Sequence, residues 1–536
     1  MIVFLFQLLL VVVRGEKEIN CDVVIAGGSA ASFAAAVAAA DEMKFRGAEK
    51  TVCLLESTSI VGGQLSSSLI TAVDFGHFNR LKGNLPFEFV KLLEGVGWPQ
   101  KNPGNCWVST VCYDLETLQK NYLNDALRRD NLRVFTNTVI KSVNMSSSNT
   151  IESIEAISRE STKASSSSSF NYAENVEDWY ERENSSRFVK TILRFQNPRV
   201  VIDASELGDV LVLSSASWVQ GNVAQGRTDC SQSFAFGFYL SETNSDPPPH
   251  YPIPDLASYS LGKFTLNQEW TYRKVSSQTS LQAWGGTKAD GNDYPFGSAL
   301  LDSSDIEKQL SDWKGGLNIT SLSNAEAFAK GFSTYMRSLW IDQETDDLTI
   351  SRFAEAPYLR DTRRSASGLG GFVLNEKDMA SSAASPIIPS CSTQCNETIR
   401  SGTRFQDRVA LGDYIYFDSH DAANCPRPAY PTLAPYYVPF RALTSNDVSN
   451  LLVAGKTMAQ TFAANSATRL HPVEFSTGVA AGVASALMVI TNSNSTLDFY
   501  ENQIEELQQS IQDRHGPLDW LECACSSGSS SSGGIS

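Results

Sequence analysis

The sequence predicts an α/β fold, in which a parallel, helix-covered sheet is interrupted by an inserted mixed α+β domain. Three observations predict it. A short apolar run, Cys21 to Ala26, passes through Gly27 and Gly28 into an Ala-rich helical stretch reaching Ala40. A second run, Thr51 to Glu56, completes a strand–helix–strand unit. Much later, Leu451 to Ala454 repeats the strand pattern ahead of a small-residue helix over 475–490. Short continuous apolar runs suit strands covered on both faces.

Taken in order, the chain opens on an expected leader, residues 1–15. Ile2 to Val13 is apolar except for Gln7 and is short for a bilayer, and Val13-Arg14-Gly15 offers a cleavage site. No membrane span is expected once this segment is removed. Sequons at Asn144, Asn184, Asn318, Asn396 and Asn494 agree with passage through the secretory route. Ten cysteines include the local groups Cys106/Cys112, Cys391/Cys395 and Cys523/Cys525, and the chain has five histidines. The groups lack paired zinc-ligand spacing, so disulfides are expected and metal ligation is not.

The expected organisation is a first part of the sheet domain over 20–145, a surface insertion with a hairpin over 146–197, and a second part over 198–214. A substrate or cap domain follows over 215–435, then the C-terminal part over 436–495 and a helix with a flexible tail over 496–536. Pro86 suits the first turn of a helix and Asp114 an N-cap. Leu132 to Phe135, Phe188 to Phe195 and Arg199 to Ala204 read as strands. Residues 144–187, with the Ser165 to Ser169 run, read as a partly disordered surface segment. Phe234 to Tyr239 reads as part of an antiparallel sheet covering the substrate. Leu497 to Gln512 reads as a polar helix.

The chain has 536 residues, 42% hydrophobic and 19% charged, with a formal net charge of −16. This balance gives no electrostatic support to a nucleic-acid partner. Neither a G-x-S-x-G elbow nor a Walker loop is present.

A strand, then Gly27-Gly28-Ser29-Ala30-Ala31-Ser32, then a helix, is the setting of a dinucleotide fingerprint. Small residues admit a pyrophosphate, and the helix N-terminus meets its charge. Ser29 and Ser32 stand where that pattern has its second and third glycines. Glu56 ends the second strand, where an acid accepts from a ribose. Gly62-Gly63-Gln64 is a second close-approach segment.

These strings resemble the family of FAD-dependent oxidoreductases. Leu54-Leu55-Glu56 with Val61 to Gln64, and Val200 to Ala204 with Gly208-Asp209, are similar to its early blocks. Arg360 to Arg364, Gly371 to Leu374, Ala410 to Tyr414, Asp418 to Asp421, Tyr437 to Leu443, Asn450 to Lys456, Arg469 to Pro472 and Gly478 to Gly482 follow in the family's order. The resemblance implies a Rossmann-like, three-layer β/β/α domain binding FAD. It implies cofactor contacts from Gly27, Gly28, Ser29, Ala30, Ala31, Ser32, Glu56, Gly62, Gly63, Gln64, Asp203, Ala204, Gly208, Asp209, Gly455, Arg469, Pro472 and Gly478. The helix after Pro472 is expected to aim its N-terminus at the flavin.

For proton transfer the candidates are His471, between Arg469 and that helix, and His420, flanked by Asp418 and Asp421. Arg469 is expected to add to the field. Arg360, Arg363 and Arg364 are candidates for a substrate carboxylate, with Asp361 or Glu355 as alternative partners. His77 is a candidate point of covalent flavin attachment. The expected activity is oxidation of a small organic substrate by hydride transfer to flavin, with oxygen or another acceptor. The alternatives are a redox-neutral flavin-dependent lyase or isomerase, and a secreted binding protein without turnover.

Overall fold

The structure is a computed structural model. It describes residues 15–76, 82–99, 102, 104–162, 171–222, 230–243, 251–253, 259–261, 264–282, 293–341, 347–361, 364–389, 398–420, 425 and 429–520. The expected leader up to residue 14, His77, the Ser165 to Ser169 run, Arg363, Asp421 and the tail beyond 520 lie outside the described residues.

Strand β1 (Gly15–Asn20) precedes β2 (Val23–Ala26), helix α1 (Ala30–Phe45) and β3 (Val52–Leu55). Gly15, placed at the end of the leader by sequence, is the first residue of β1. Helix α2 (Phe87–Gly95) starts after Pro86, and Asp114 caps a helical stretch from Leu115 by accepting from Thr117 N. Then come β4 (Leu132–Phe135), β5 (Thr138–Met145), β6 (Ile151–Ser161), α3 (Tyr172–Trp179), β7 (Phe188–Gln196) and β8 (Val200–Asp203).

The stretch expected as a surface insertion is largely structural. β6 is the central partner of β5 and β7, and Ile154, Ala156 and Ile157 are fully buried. Helix α3 buries Val176 and Trp179. The apolar positions of β6 do not alternate cleanly, because Glu155 stands among them.

Five strands form the parallel sheet, in the order β15 (Leu451–Val453), β8, β2, β3, β4. The sheet is covered on one side by α1 and α6 (His471–Thr491) and on the other by the four-stranded sheet β1-β7-β6-β5, whose Ile140, Ile154, Leu193 and Phe195 share its core. This is a β/β/α sandwich. α1 as far as Ala40, and most of α6, are buried all round, and their sequences lack a polar face accordingly. They approach closely: a Cβ on Gly478 would lie 2.2 Å from Ala31 O, and one on Gly482 would lie 2.3 Å from Ala35 O. α6 has the length and apolarity of a membrane span, with mean hydropathy 1.7 over its most apolar 18 residues, yet 94% of that stretch is buried inside the protein.

The inserted region carries the antiparallel sheet β10 (Lys274–Ser276), β11 (Thr279–Gln282), β9 (Phe238–Thr243), β12 (Asp347–Phe353), packed with the long helix α4 (Ile319–Ile341). Its aromatics Phe234, Phe236, Phe238, Trp270 and Phe328 form a second core. β13 (Arg408–Gly412) pairs with β14 (Tyr436–Pro439) on the way back to β15, and α5 (Phe462–Thr468) precedes α6. Helix α7 (Thr496–Asp513) closes the described chain. Disulfides join Cys21–Cys53, Cys106–Cys112 and Cys230–Cys425. The other cysteines fall outside the described residues. No metal-competent cluster of His, Cys, Asp or Glu occurs among the described residues.

Candidate functional site

The C-terminal ends of the parallel strands gather the fingerprint. Gly28 has φ 124°, and Ser29 caps α1 from an extended conformation. The 62–63 turn presses onto it, since a Cβ on Gly63 would sit 2.5 Å from both Gly28 O and Ser29 Cα. Gly63 is therefore fixed by sterics. At the tip of β3, Glu56 is fully buried; its Oε1 accepts from Thr58 N at 3.0 Å and Thr58 Oγ1 at 2.8 Å, while Oε2 has no partner. Burial, only partly offset by Thr58, pushes this carboxyl up to about 7. Gln64 donates to Arg469 O and to Glu474 Oε2, and its own Oε1 is buried without a partner. A buried acceptor left unmade at each of two turns, above glycines that admit nothing larger, fits a bound dinucleotide.

Three ionisable groups meet here that sequence reading passed over. Lys456 Nζ bonds both oxygens of Glu206, at 2.8 and 2.9 Å, and lies 3.5 Å from Glu474 Oε1. Burial raises both carboxyls, and Lys456 opposes it. A signal was available: Lys456 ends a block quoted for the resemblance, and Glu206 and Glu474 are charged residues in the short gaps between quoted blocks.

Other expected contacts serve the fold. Asp203 accepts from Ser205 N, Ser205 Oγ and Leu211 N, which spends its carboxylate on the turn after β8. Ala204 O accepts from Ser29 Oγ at 2.6 Å. Gly208 takes the left-handed conformation before a short helix at φ 66°. Asp209 accepts from Trp313 Nε1 at 2.7 Å, a link into the inserted region, and burial lifts it to about 7. Gly455, at φ 67°, donates to Thr477 Oγ1, and Pro472 occupies the first turn of α6. Gly478 faces α1 and allows helix packing, which corrects its expected cofactor role.

A second constellation lies between the two regions. Arg360 donates to Ser233 O at 2.8 Å and to Asp293 Oδ1 at 3.0 Å. His420 Nδ1 is 3.2 Å from Asp293 Oδ2, and its Nε2 is 3.0 Å from Asp418 Oδ2. Arg469 reaches the same Asp418 oxygen at 3.0 Å and Tyr358 Oη at 3.1 Å. The result is a continuous chain, Arg360–Asp293–His420–Asp418–Arg469. Burial alone would raise Asp293 and Asp418, but His420 with Arg360 at one and with Arg469 at the other holds both carboxyls below their ordinary range. Both ring nitrogens of His420 therefore face carboxylates, which fix the plane of the imidazole from its two ends.

His471 makes different contacts. Nε2 lies 2.9 Å from Ile70 O, a carbonyl that only accepts, so Nε2 carries the hydrogen and Nδ1 carries the lone pair. Nδ1 is buried without a partner, and burial pushes the ring down to about 4. At neutral pH the imidazole is uncharged and able to accept. Tyr358 joins the two constellations, with Arg469 on its hydroxyl and Lys456 Nζ 5.6 Å from its ring centroid.

Of the expected substrate arginines, Arg360 is in the chain, paired with Asp293 rather than with Asp361 or Glu355. Glu355 instead accepts from Ser59 N and Ser59 Oγ. Arg364 is corrected: fully buried, it donates to Leu207 O, Gly315 O and Gly316 O and clamps the inserted region to the turn after β8. Asp293 had no sequence signal, being one acid in a loop region far from every quoted block.

The sequence profile described as FAD dependent oxidoreductase matches residues 22–170 and 190–511. No curated protein matches the sequence. Among solved structures, a mutant quinol fumarate reductase FrdA from E. coli is similar at 10% identity, covering 93% of this chain and 75% of that one, with a TM-score of 0.35. Adenylylsulfate reductase from Archaeoglobus fulgidus is similar at 11% identity, covering 93% and 74%, also at 0.35. The myxobacterial halogenase CndH is similar at 10% identity, covering 92% and 79%, at 0.29. Scores this low leave the assignment to the profile.

Proposed function

Because the chain belongs to the FAD dependent oxidoreductase family, we propose that it is an FAD-binding enzyme of the secretory route or extracellular space that oxidises a small organic substrate. FAD, when bound, supplies the hydride-accepting chemistry, with oxygen or another acceptor taking the electrons onward. Glu56, the Gly27–Ser29 backbone, the 62–64 turn and the first turn of α6 are the residues to hold it. The observation that carries the reading is His471, in the first turn of α6, whose Nδ1 is buried without a partner while Nε2 is held by Ile70 O. His471 Nδ1 takes the proton from the substrate hydroxyl or amine as hydride leaves carbon. Arg360 and Arg469, at the two ends of the chain, offer hydrogen-bond donors where negative charge develops, and Asp293 and Asp418 fix their orientation.

Export is supported by the apolar leader, by the exposed sequon residues Asn144, Asn184 and Asn494, and by three disulfides, which suit an oxidising compartment. Nicotinamide cofactors are scarce outside cells, which favours oxygen as acceptor.

The test is the visible spectrum of purified protein, followed by anaerobic mixing with a panel of small alcohols, amines and hydroxy acids. Flavin absorption that bleaches with one class and returns on admitting air is the expected result. Colourless protein that takes up no FAD, or turnover strictly dependent on a nicotinamide cofactor, would sink the proposal.

A further inference from the structure

We propose that Lys456 is a ligand of the cofactor's pyrophosphate, and that Glu206 is a carboxylate holding that place until the cofactor enters. The inference rests on the reading of the chain as an FAD-binding protein and deepens it.

It begins at the end of α1. A helix N-terminus receives a phosphate through backbone N–H groups left without partners. Here Ser29 Oγ accepts from Ser32 N at 3.1 Å, and Ser32 Oγ accepts from Ser29 N at 3.3 Å. The two serines that replace fingerprint glycines thus close a capping box and use two of those donors internally. The missing positive character has to come from a side chain.

The cation beside this turn is Lys456. Its side chain is 1% exposed, and its main partner is Glu206, 12% exposed. Glu206 folds over the fingerprint: a Cβ on Gly28 would lie 3.7 Å from Glu206 N and 3.8 Å from Glu206 Cγ. With Gly27, Gly28 and Ser57 it lines a cavity of about 40 Å³. That is room for about one water molecule, and a diphosphate needs several times more. A pyrophosphate settles over Gly28 only if the Glu206 side chain swings away.

The exchange keeps Lys456 paired with an anion throughout. Lys456 gives up one anion, keeps Glu474 at 3.5 Å, and takes another anion in Glu206's place. Burial and the neighbouring Glu474 both disfavour an ionised Glu206, so its hold on Lys456 is weaker than two short hydrogen bonds suggest. A partly exposed carboxylate that can turn to solvent costs little to displace. A buried one such as Glu474 does not move as readily.

Equilibrium titration of the apoprotein with FAD, ADP and adenosine tests this on wild type, Glu206→Gln and Lys456→Met. Glu206→Gln is expected to bind FAD and ADP about tenfold more tightly, and Lys456→Met about tenfold more weakly. Adenosine, which has no phosphate, is expected to bind all three proteins alike. Gain of affinity in Glu206→Gln cannot arise from misfolding. The assignment is overturned if adenosine shifts in parallel with ADP, or if Glu206→Gln fails to tighten binding. Wild type that binds no FAD ends the cofactor reading and this assignment with it. Wild type that binds FAD, with Lys456→Met unchanged, ends only the assignment.

Discussion

The Lys456–Glu206–Glu474 cluster and the Arg360–Asp293–His420–Asp418–Arg469 chain are both buried and both pair opposite charges, but they are assembled differently. Members of the first sit just past the ends of β8 and β15 and in the first turn of α6. The parallel sheet places them, and any sequence making that sheet puts three residues there. Members of the second come from four separate segments: the 293–294 pair, the stretch after β12, the loop after β13, and the turn between α5 and α6. Only docking of the inserted region brings them together. The first cluster is a property of the sheet, and the second is a property of the interface between regions.

That contrast can be broken experimentally. The largest effect is expected at Asp293, the acid that serves both Arg360 and His420. Asp293→Ala removes the shared partner of the buried Arg360 and of His420 and should cost about 3–5 kcal/mol of stability in urea unfolding, with turnover lost. A mild result would mean the chain is not a single unit. Next, His471→Phe should lower the turnover rate about 100- to 10,000-fold while flavin content stays unchanged. Loss of flavin instead would place His471 with the first cluster.

A third probe is the Cys230–Cys425 disulfide, whose cysteines are 195 residues apart. It ties the segment carrying Asp418 and His420 to the segment carrying Ser233, whose N–H donates to His420 O. Replacing both cysteines by serine should cost about 2–4 kcal/mol and reduce turnover more than flavin content. Equal losses in both would erase the distinction between the two clusters.

The smallest effect is on pH dependence. Glu56 and Asp209 stand near 7 in the folded protein, against ordinary values of 4.5 and 3.8. Between those limits the folded chain binds more protons than the unfolded one, so these groups make stability fall as pH rises. His471, held near 4 against 6.5, works in the opposite sense over part of the same window. Asp203 and Glu474 are also raised, which leaves the carboxyls in the majority. The apoprotein is expected to melt at a lower temperature at pH 7.5 than at pH 5.5, and Glu56→Gln should flatten the trend. A melting temperature that climbs over this range would contradict the carboxyl assignments.

The same contrast explains what the sequence disclosed. β2, β3, β8 and β15 were readable because strands covered on both faces are written as continuous apolar runs, and Glu56 and Gly63 were readable because close approach restricts residue type. β6 was not, since Glu155 and the sequons around it mimic a surface segment. His420, Arg469 and Arg360 were found as residues, but their roles followed from partners such as Asp293 that only tertiary packing supplies. Gly478 shows the converse error, where a motif position serves helix packing.

The order of strands in the parallel sheet also fixes when the protein can become functional. β2 is made early, yet its neighbour β8 waits on β15, which arrives only at residue 451. During synthesis the N-terminal unit therefore has no finished pocket to offer, and pairing of such distant segments is slow. A chain exported before it folds would have to meet its flavin on the far side of the membrane. Supply of flavin in that compartment, rather than in the cytosol, would then limit how much active protein accumulates.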